Sequence, residues 1–117
     1  NVPSNSEMTF ESKITNGHPV TFDFIYNSER VLRSYGFRAG TDEQGRMPNS
    51  WKLFGTRDGK DWELLDVRKE PKAWAVDERR EYRLQAAEQY TGYRVEIDGI
   101  GGGDTLRIYG FFLNFEK

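Results

Sequence analysis

Three features of this sequence predict an all-β fold, an antiparallel β-sandwich or jelly roll of about eight strands. Aromatic residues make up 15% of the chain, with eight Phe, six Tyr and three Trp, and these side chains favour pleated, half-buried strands. Apolar residues alternate with polar ones over short runs, most clearly in Val20, Phe22, Phe24 and Tyr26 and again in Tyr93, Val95 and Ile97. Turn chemistry separates such runs at intervals of about 8 to 12 residues, the spacing of a sandwich and not of βαβ units.

Taken in order, residues 1–7 are polar, contain Pro3, and read as an entering linker. Residues 8–117 are expected to form one domain, because a chain of 117 residues can bury one core but not two. The chain opens with Asn1 and not Met, as expected of a processed product or a domain of a longer polypeptide. Met8 and Phe10 begin a strand that continues to Ile14, Asn16-Gly17 is a turn, and His18-Pro19 is extended. The strand over 20–26 is followed by a polar connection, Asn27-Ser28-Glu29-Arg30, and a second strand over 31–37. A polar loop with Gly40, Gly45 and Pro48 leads to the strand of Trp51, Leu53 and Phe54. Arg57-Asp58-Gly59-Lys60 then supplies the Asp-Gly pair that a hairpin needs where φ is positive.

The next strand runs over 62–67, and 69–78 is a second long loop around Pro71 and Trp74. Residues 80–85 carry Tyr82 and Leu84 on one face, 86–92 form a crossing with a helical turn, and 93–97 alternate strictly. A glycine-rich loop over 98–104 precedes the last strand, 106–115. That strand is apolar on both faces, which predicts that it lies between covered surfaces or beneath a loop. Because antiparallel neighbours alternate in direction, loops 40–50, 69–78 and 98–105 fall at one end of the sandwich, while 27–30, the hairpin and 86–92 fall at the other. The rim formed by the three long loops is the expected place for recognition.

The totals exclude several classes of function. A net charge of −2 with interspersed signs offers no footprint for nucleic acid or an anionic membrane. No apolar run approaches the ~20 residues of a membrane span. Without cysteine there is no disulfide and no thiolate chemistry. His18, the single histidine, cannot form an imidazole pair and is read as structural, and Ser28, Ser34 and Ser50 lack a nucleophile-elbow context. The 19 acidic residues include no pair singled out for glycoside hydrolysis, and Gly101-Gly102-Gly103 lacks the strand-to-helix setting of a phosphate loop. Catalysis is therefore not expected.

Gly40-Thr41-Asp42, then Gly45-Arg46-Met47-Pro48-Asn49-Ser50-Trp51, then Thr56-Arg57-Asp58-Gly59-Lys60-Asp61-Trp62, together with Tyr93-Arg94-Val95, form a pattern. Over about residues 20–117 it resembles the discoidin, or coagulation factor 5/8 type C, family of galactose-binding-like β-sandwiches. The resemblance implies a non-catalytic recognition module, most often a carbohydrate-binding module attached to a secreted microbial enzyme, with its ligand among loops at one end. It implies a glycan or polysaccharide partner, a fused catalytic domain and an extracellular or cell-surface setting. The family's early Asp-Gly-x-x-x-Thr-x-Trp segment is absent, and Tyr109-Gly110 stands where many relatives carry Ala-Glu. These two segments accompany a structural calcium in relatives, so no cofactor is assigned, although Asp42, Glu43, Asp98 and Asp104 place carboxylates near the rim.

Arg46 is the first candidate ligand contact, because a guanidinium fork suits vicinal hydroxyls or a carboxylate, and some sugar-binding relatives use the Arg of a Gly-Arg pair in this loop. Its alternative role is to pair with Asp42 or Glu43 and hold the loop. Trp74 either stacks on a sugar ring or plugs the mouth of the sandwich. Asp42, Glu43, Gln44 and Asn49 supply acceptors and amides, and Asp104 with the glycines before it could bring backbone close to a ligand. Trp51 and Trp62 are expected in the core. The alternative reading is a protein-interaction or adhesion module, which an exposed aromatic patch of Tyr109, Phe111 or Phe115 would favour.

Overall fold

The computed structural model describes residues 8–13, 19–40, 47–70, 72–85, 88–100 and 105–116, the first of these segments by its backbone. Seven strands lie among the described residues: β1 (Met8–Lys13), β2 (Val20–Arg38), β3 (Pro48–Thr56), β4 (Trp62–Lys69), β5 (Arg79–Arg83), β6 (Gln89–Ile100) and β7 (Thr105–Phe115). Every pairing is antiparallel, and no helix occurs among the described residues.

The strands form two layers, β1-β7-β2-β5 and β2-β6-β3-β4, with β2 belonging to both. The first half of β2 pairs with β6 from Val20↔Ile97 to Ile25↔Gly92, and the second half pairs with β7 from Leu32↔Phe115 to Arg38↔Gly110. The sequence predicts two strands here, joined by residues 27–30. Instead the chain stays extended, and the register between Ile25↔Gly92 and Arg30↔Tyr90 absorbs the extra residues as a large bulge. Residues 20–38 therefore form one strand among the seven described.

Aromatic rings meet between the layers. Phe24 stacks on Phe111 with centroids 5.4 Å apart, Phe37 meets Trp51 edge to face at 4.9 Å, and Trp51 meets Tyr82 at 5.1 Å. Trp51, Tyr35, Phe37 and Tyr93 are fully buried. Their polar ends are satisfied in place: the Trp51 indole N–H donates to the Tyr35 hydroxyl at 2.8 Å, and that hydroxyl donates to Asp66 at 2.7 Å. Burial and the Asp66 carboxylate together push the Tyr35 hydroxyl far above the ordinary phenol range.

The apolar run in β7 has a local cause. Met8 pairs with Phe111 but Phe10 pairs with Ile108, so β7 carries one residue more than β1 across this step. Inward-facing positions are Leu106 and Ile108 before the bulge, then Phe111 and Leu113 after it. Phe112 points outward, yet it is buried against Gly36 and covered by the Arg79 guanidinium 3.8 Å above its ring. A Cβ on Gly36 would collide with this ring and with the Arg80 carbonyl.

Two core expectations divide. Trp51 is buried as expected, but Trp62 is only half-buried on the outer face of its layer, where Arg94 lies 4.1 Å over its ring and forks to Asp23. Arg94 faces outward because it alternates with the inward Tyr93 and Val95, and Trp62 sits on the same face. The exposed aromatic patch that would favour an interaction module is not formed by Tyr109, Phe111 and Phe115. Phe111 is in the core, Phe115 packs against it, and Tyr109 is half-buried on Gly40. The hairpin over 57–61 forms as predicted, with Gly59 at φ 78°.

A rim built by long-range contacts

The ends of all three long connections meet at one pole. Pro48 pairs with Ile100, so the entry to β3 lies beside the exit of β6. The Ala39 N–H donates to the Glu78 carbonyl at 2.8 Å, and the Asp77 N–H donates to the Gly40 carbonyl at 3.0 Å. The Glu70 N–H donates to the Asn49 carbonyl at 2.7 Å, and the Trp74 indole N–H donates to the Pro48 carbonyl at 2.9 Å. The exits of β2 and β4, the entry of β3 and the loop before β5 are thus tied together, as strand direction predicts.

Arg80 is the hub of this rim. Its side chain is 10% exposed, and it reaches Glu70 at 2.6 Å and Glu78 at 2.7 Å. It also donates to the carbonyls of Ala73 at 2.8 Å and Lys72 at 3.3 Å, and its guanidinium lies 4.1 Å over the Trp74 ring. A planar fork with five donors can serve two carboxylates and two carbonyls at once. Hydrogen bonds from Arg80, then the Ala75 N–H, hold the Glu78 carboxyl down at about 2. Asp77 adopts the left-handed conformation at φ 58°, and Arg38 pairs with its carboxylate at 3.2 Å.

The expected site residues can now be placed. Asn49 lies at the rim and lines an open depression with Ser50, Lys69 and Glu70, and the Ser50 hydroxyl donates to Asp98 beside it. Arg46, Asp42, Glu43, Gln44 and Asp104 lie outside the described residues, as does His18, though the flanking Gly40, Met47 and Thr105 are described. Of the two roles open to Trp74 the structure shows the plug: it is 8% exposed, its N–H donates to the Pro48 carbonyl, and Arg80 covers a face of its ring. A sugar ring has no open aromatic face to meet there. Among the described residues no group of three or more His, Cys, Asp or Glu could hold a metal ion.

Arg80, Glu70, Glu78 and Ser50 were not singled out as site residues by the sequence, and Asp98 only as a carboxylate near the rim. One signal was available: Arg80 is in phase with Tyr82, and a charged residue in phase with a buried one needs acids nearby.

This architecture defines an antiparallel β-sandwich with its long connections gathered at one end. No protein-family model matches the sequence, and no curated protein matches it. Solved structures do share the fold, among them CBM32-3 from a family 31 glycoside hydrolase of Clostridium perfringens, with a TM-score of 0.74 at 10% identity over 96% of this chain and 78% of that one. CpGH89CBM32-5 from the same organism, in complex with GalNAc-β-1,3-galactose, aligns with a TM-score of 0.66 at 9% identity over 89% of this chain and 74% of that one. A family 89 glycoside hydrolase from C. perfringens aligns at 0.67 and 11% identity over 95% of this chain but 12% of its own length. The chain shares the fold of these family 32 carbohydrate-binding modules.

Proposed function

We propose that this chain is a non-catalytic carbohydrate-binding module that recognises glycans at the rim, as a domain of a larger extracellular or cell-surface protein. The convergence of its long connections on one pole carries this reading. Rigid loops ordered before the ligand arrives lower the entropy lost on binding, and the Arg80 hub supplies that order. Asn49, Ser50 and Lys69 offer an amide, a hydroxyl and an ammonium around one open depression, with the Asp98 carboxylate bonded to Ser50 beside it, a donor and acceptor set suited to sugar hydroxyls. Arg46, Asp42, Glu43, Gln44 and Asp104 complete the contact set, and Trp74 supports the floor without touching ligand. The similar fold of a module bound to GalNAc-β-1,3-galactose, and of one segment of a glycoside hydrolase, supports both the ligand class and the setting.

The test is a glycan array followed by titration calorimetry with galactose-, glucosamine- and uronate-containing oligosaccharides. Weak binding is expected, because one shallow site on a small sandwich relies on attachment or multivalency for retention. Arg46→Ala and Asn49→Ala are each expected to weaken it by about tenfold, the cost of one lost polar contact. An absence of binding to all three classes, or binding indifferent to both substitutions, overturns the reading.

A further inference from the structure

Among the described residues β4 is the outermost strand of its layer, and one row of its backbone N–H and C=O groups has no described strand beside it. β5, an outermost strand of the other layer, is guarded by charge: four of its five residues, Arg79, Arg80, Glu81 and Arg83, are ionic. β4 is ionic at four of its eight positions, Glu63, Asp66, Arg68 and Lys69, but three of these face inward and leave its outer row less charged. It carries Leu64, 55% exposed, and Val67, 51% exposed, two of the four exposed large apolar side chains among the described residues.

The register of β4 makes these two residues neighbours on one face. Asp66 stands opposite Leu53, yet Leu64 stands opposite Phe54, so Leu65 is an extra residue that shifts the alternation. Leu64 and Val67 therefore both face outward with Trp62 and Lys69. Glu63 and Arg68 face inward, where Glu63 accepts from the Tyr90 hydroxyl and Arg68 lies over the Tyr82 ring.

We propose that β4 pairs antiparallel with β4 of a second copy of this chain, about a two-fold axis between Leu65 and Asp66. In this register Leu64 meets the second copy's Val67 on the outer face, and Glu63 meets the second copy's Arg68 on the inner face. Each pair occurs twice, as a closed two-fold interface requires. Apolar meets apolar in the first pair and opposite charges meet in the second, each on the face the side chains already occupy, while at the axis Leu65 meets the second copy's Asp66, both facing inward. The neighbouring registers fail: a slip one way sets Asp66 against Asp66, and a slip the other way sets the outward Val67 against the inward Glu63. Since Lys69 marks the rim end of β4 and Trp62 the hairpin end, the two rims of the dimer face opposite directions. This last consequence rests on the proposed function, and it makes the dimer a cross-linker of glycan and not a double grip on one surface.

Association is measured without glycan, so it stands or falls apart from sugar binding. Sedimentation equilibrium of the wild-type chain over a concentration series is expected to show a rise from one chain mass to two. Leu64→Lys and Val67→Lys are each expected to weaken dimerisation at least tenfold, because each sets an ammonium against an apolar partner. Both sites are more than half exposed, so the monomer should retain its thermal midpoint. Ile25→Lys, at a residue 62% exposed on the same layer's far strand, is expected to leave dimerisation unchanged. Mixing Leu64→Cys chains with Val67→Cys chains is expected to give disulfide-linked heterodimers faster than either alone, because the chain has no other cysteine. A chain that stays monomeric throughout, dimerisation lost in Ile25→Lys but kept in Leu64→Lys, or cross-linking without heterodimer preference overturns the proposal.

Discussion

The hairpin over 57–61 and the rim loop over 72–78 both join strands and both contain one left-handed residue, but they are held in different ways. In the hairpin the left-handed position is Gly59, and every hydrogen bond recorded within the turn spans three residues or fewer. Asp58 accepts from the Asp61 and Lys60 N–H groups, which lower its carboxyl below the ordinary range, while Thr56 accepts from Gly59. In the rim loop the left-handed position is Asp77, and its conformation depends on Gly40 and Arg38, more than 35 residues away. A turn written in local chemistry can form by itself. A loop held from a distance is ordered only when the sandwich closes, and it is there that the recognition surface lies.

Substitutions at the two sites should separate these modes. The largest effect is expected at Arg80→Ala, which leaves Glu70, Glu78 and two carbonyls without their donor in a nearly buried setting. A loss of about 3 kcal/mol is expected from urea unfolding. Trp74 fluorescence should shift with it, and a loss under about 1 kcal/mol would show that the rim is not organised by this residue. Gly59→Ala is expected to cost about 1 kcal/mol from left-handed strain alone, since a Cβ there meets nothing within 4 Å. Amide exchange in the rim loop should be unaffected by it, and rim exchange that rises in step would merge the two modes.

Acid should act through carboxylates in both regions. Glu78 titrates near 2 when folded, below its ordinary value of 4.5, so the stability it contributes is complete above about pH 4.5. That contribution falls as the pH drops from 4.5 towards 2. Glu78→Gln should flatten the stability profile across this window, and an unchanged slope would remove Glu78 from the hub. The smallest effect is expected at Tyr82→Phe. The Tyr82 hydroxyl is buried with no hydrogen-bond partner among the described residues, so its removal should change stability by less than about 0.5 kcal/mol. Tyr35→Phe, which strips a donor from Asp66 and an acceptor from Trp51, should cost about 1 to 2 kcal/mol by contrast.

The strands with strict alternation, over 20–26 and 93–97, were legible because one buried face imposes a period of two on the sequence. The hairpin was legible because Asp-Gly is its own instruction. The phase of β7 was not, since a bulge is set by the partner strand: Met8 and Phe10 decide where the extra residue falls, and Gly36 decides that Phe112 can be buried outside. Trp62 was misread because a motif position does not say which side of a sheet a ring takes, and Arg94 and Asp23 settle that from another strand.

The class of fold, the position of the short turn and the pole to which the long connections return can all be read from the order of residues alone. These follow from alternation, from local turn chemistry and from the antiparallel sense of neighbouring strands. The inward turn of Trp74 and the role of Arg80 came from the folded chain: Trp74 is held by the Pro48 carbonyl of another strand, and Arg80 gathers the carboxylates and carbonyls of the connection before it only because packing folds that connection back over its guanidinium.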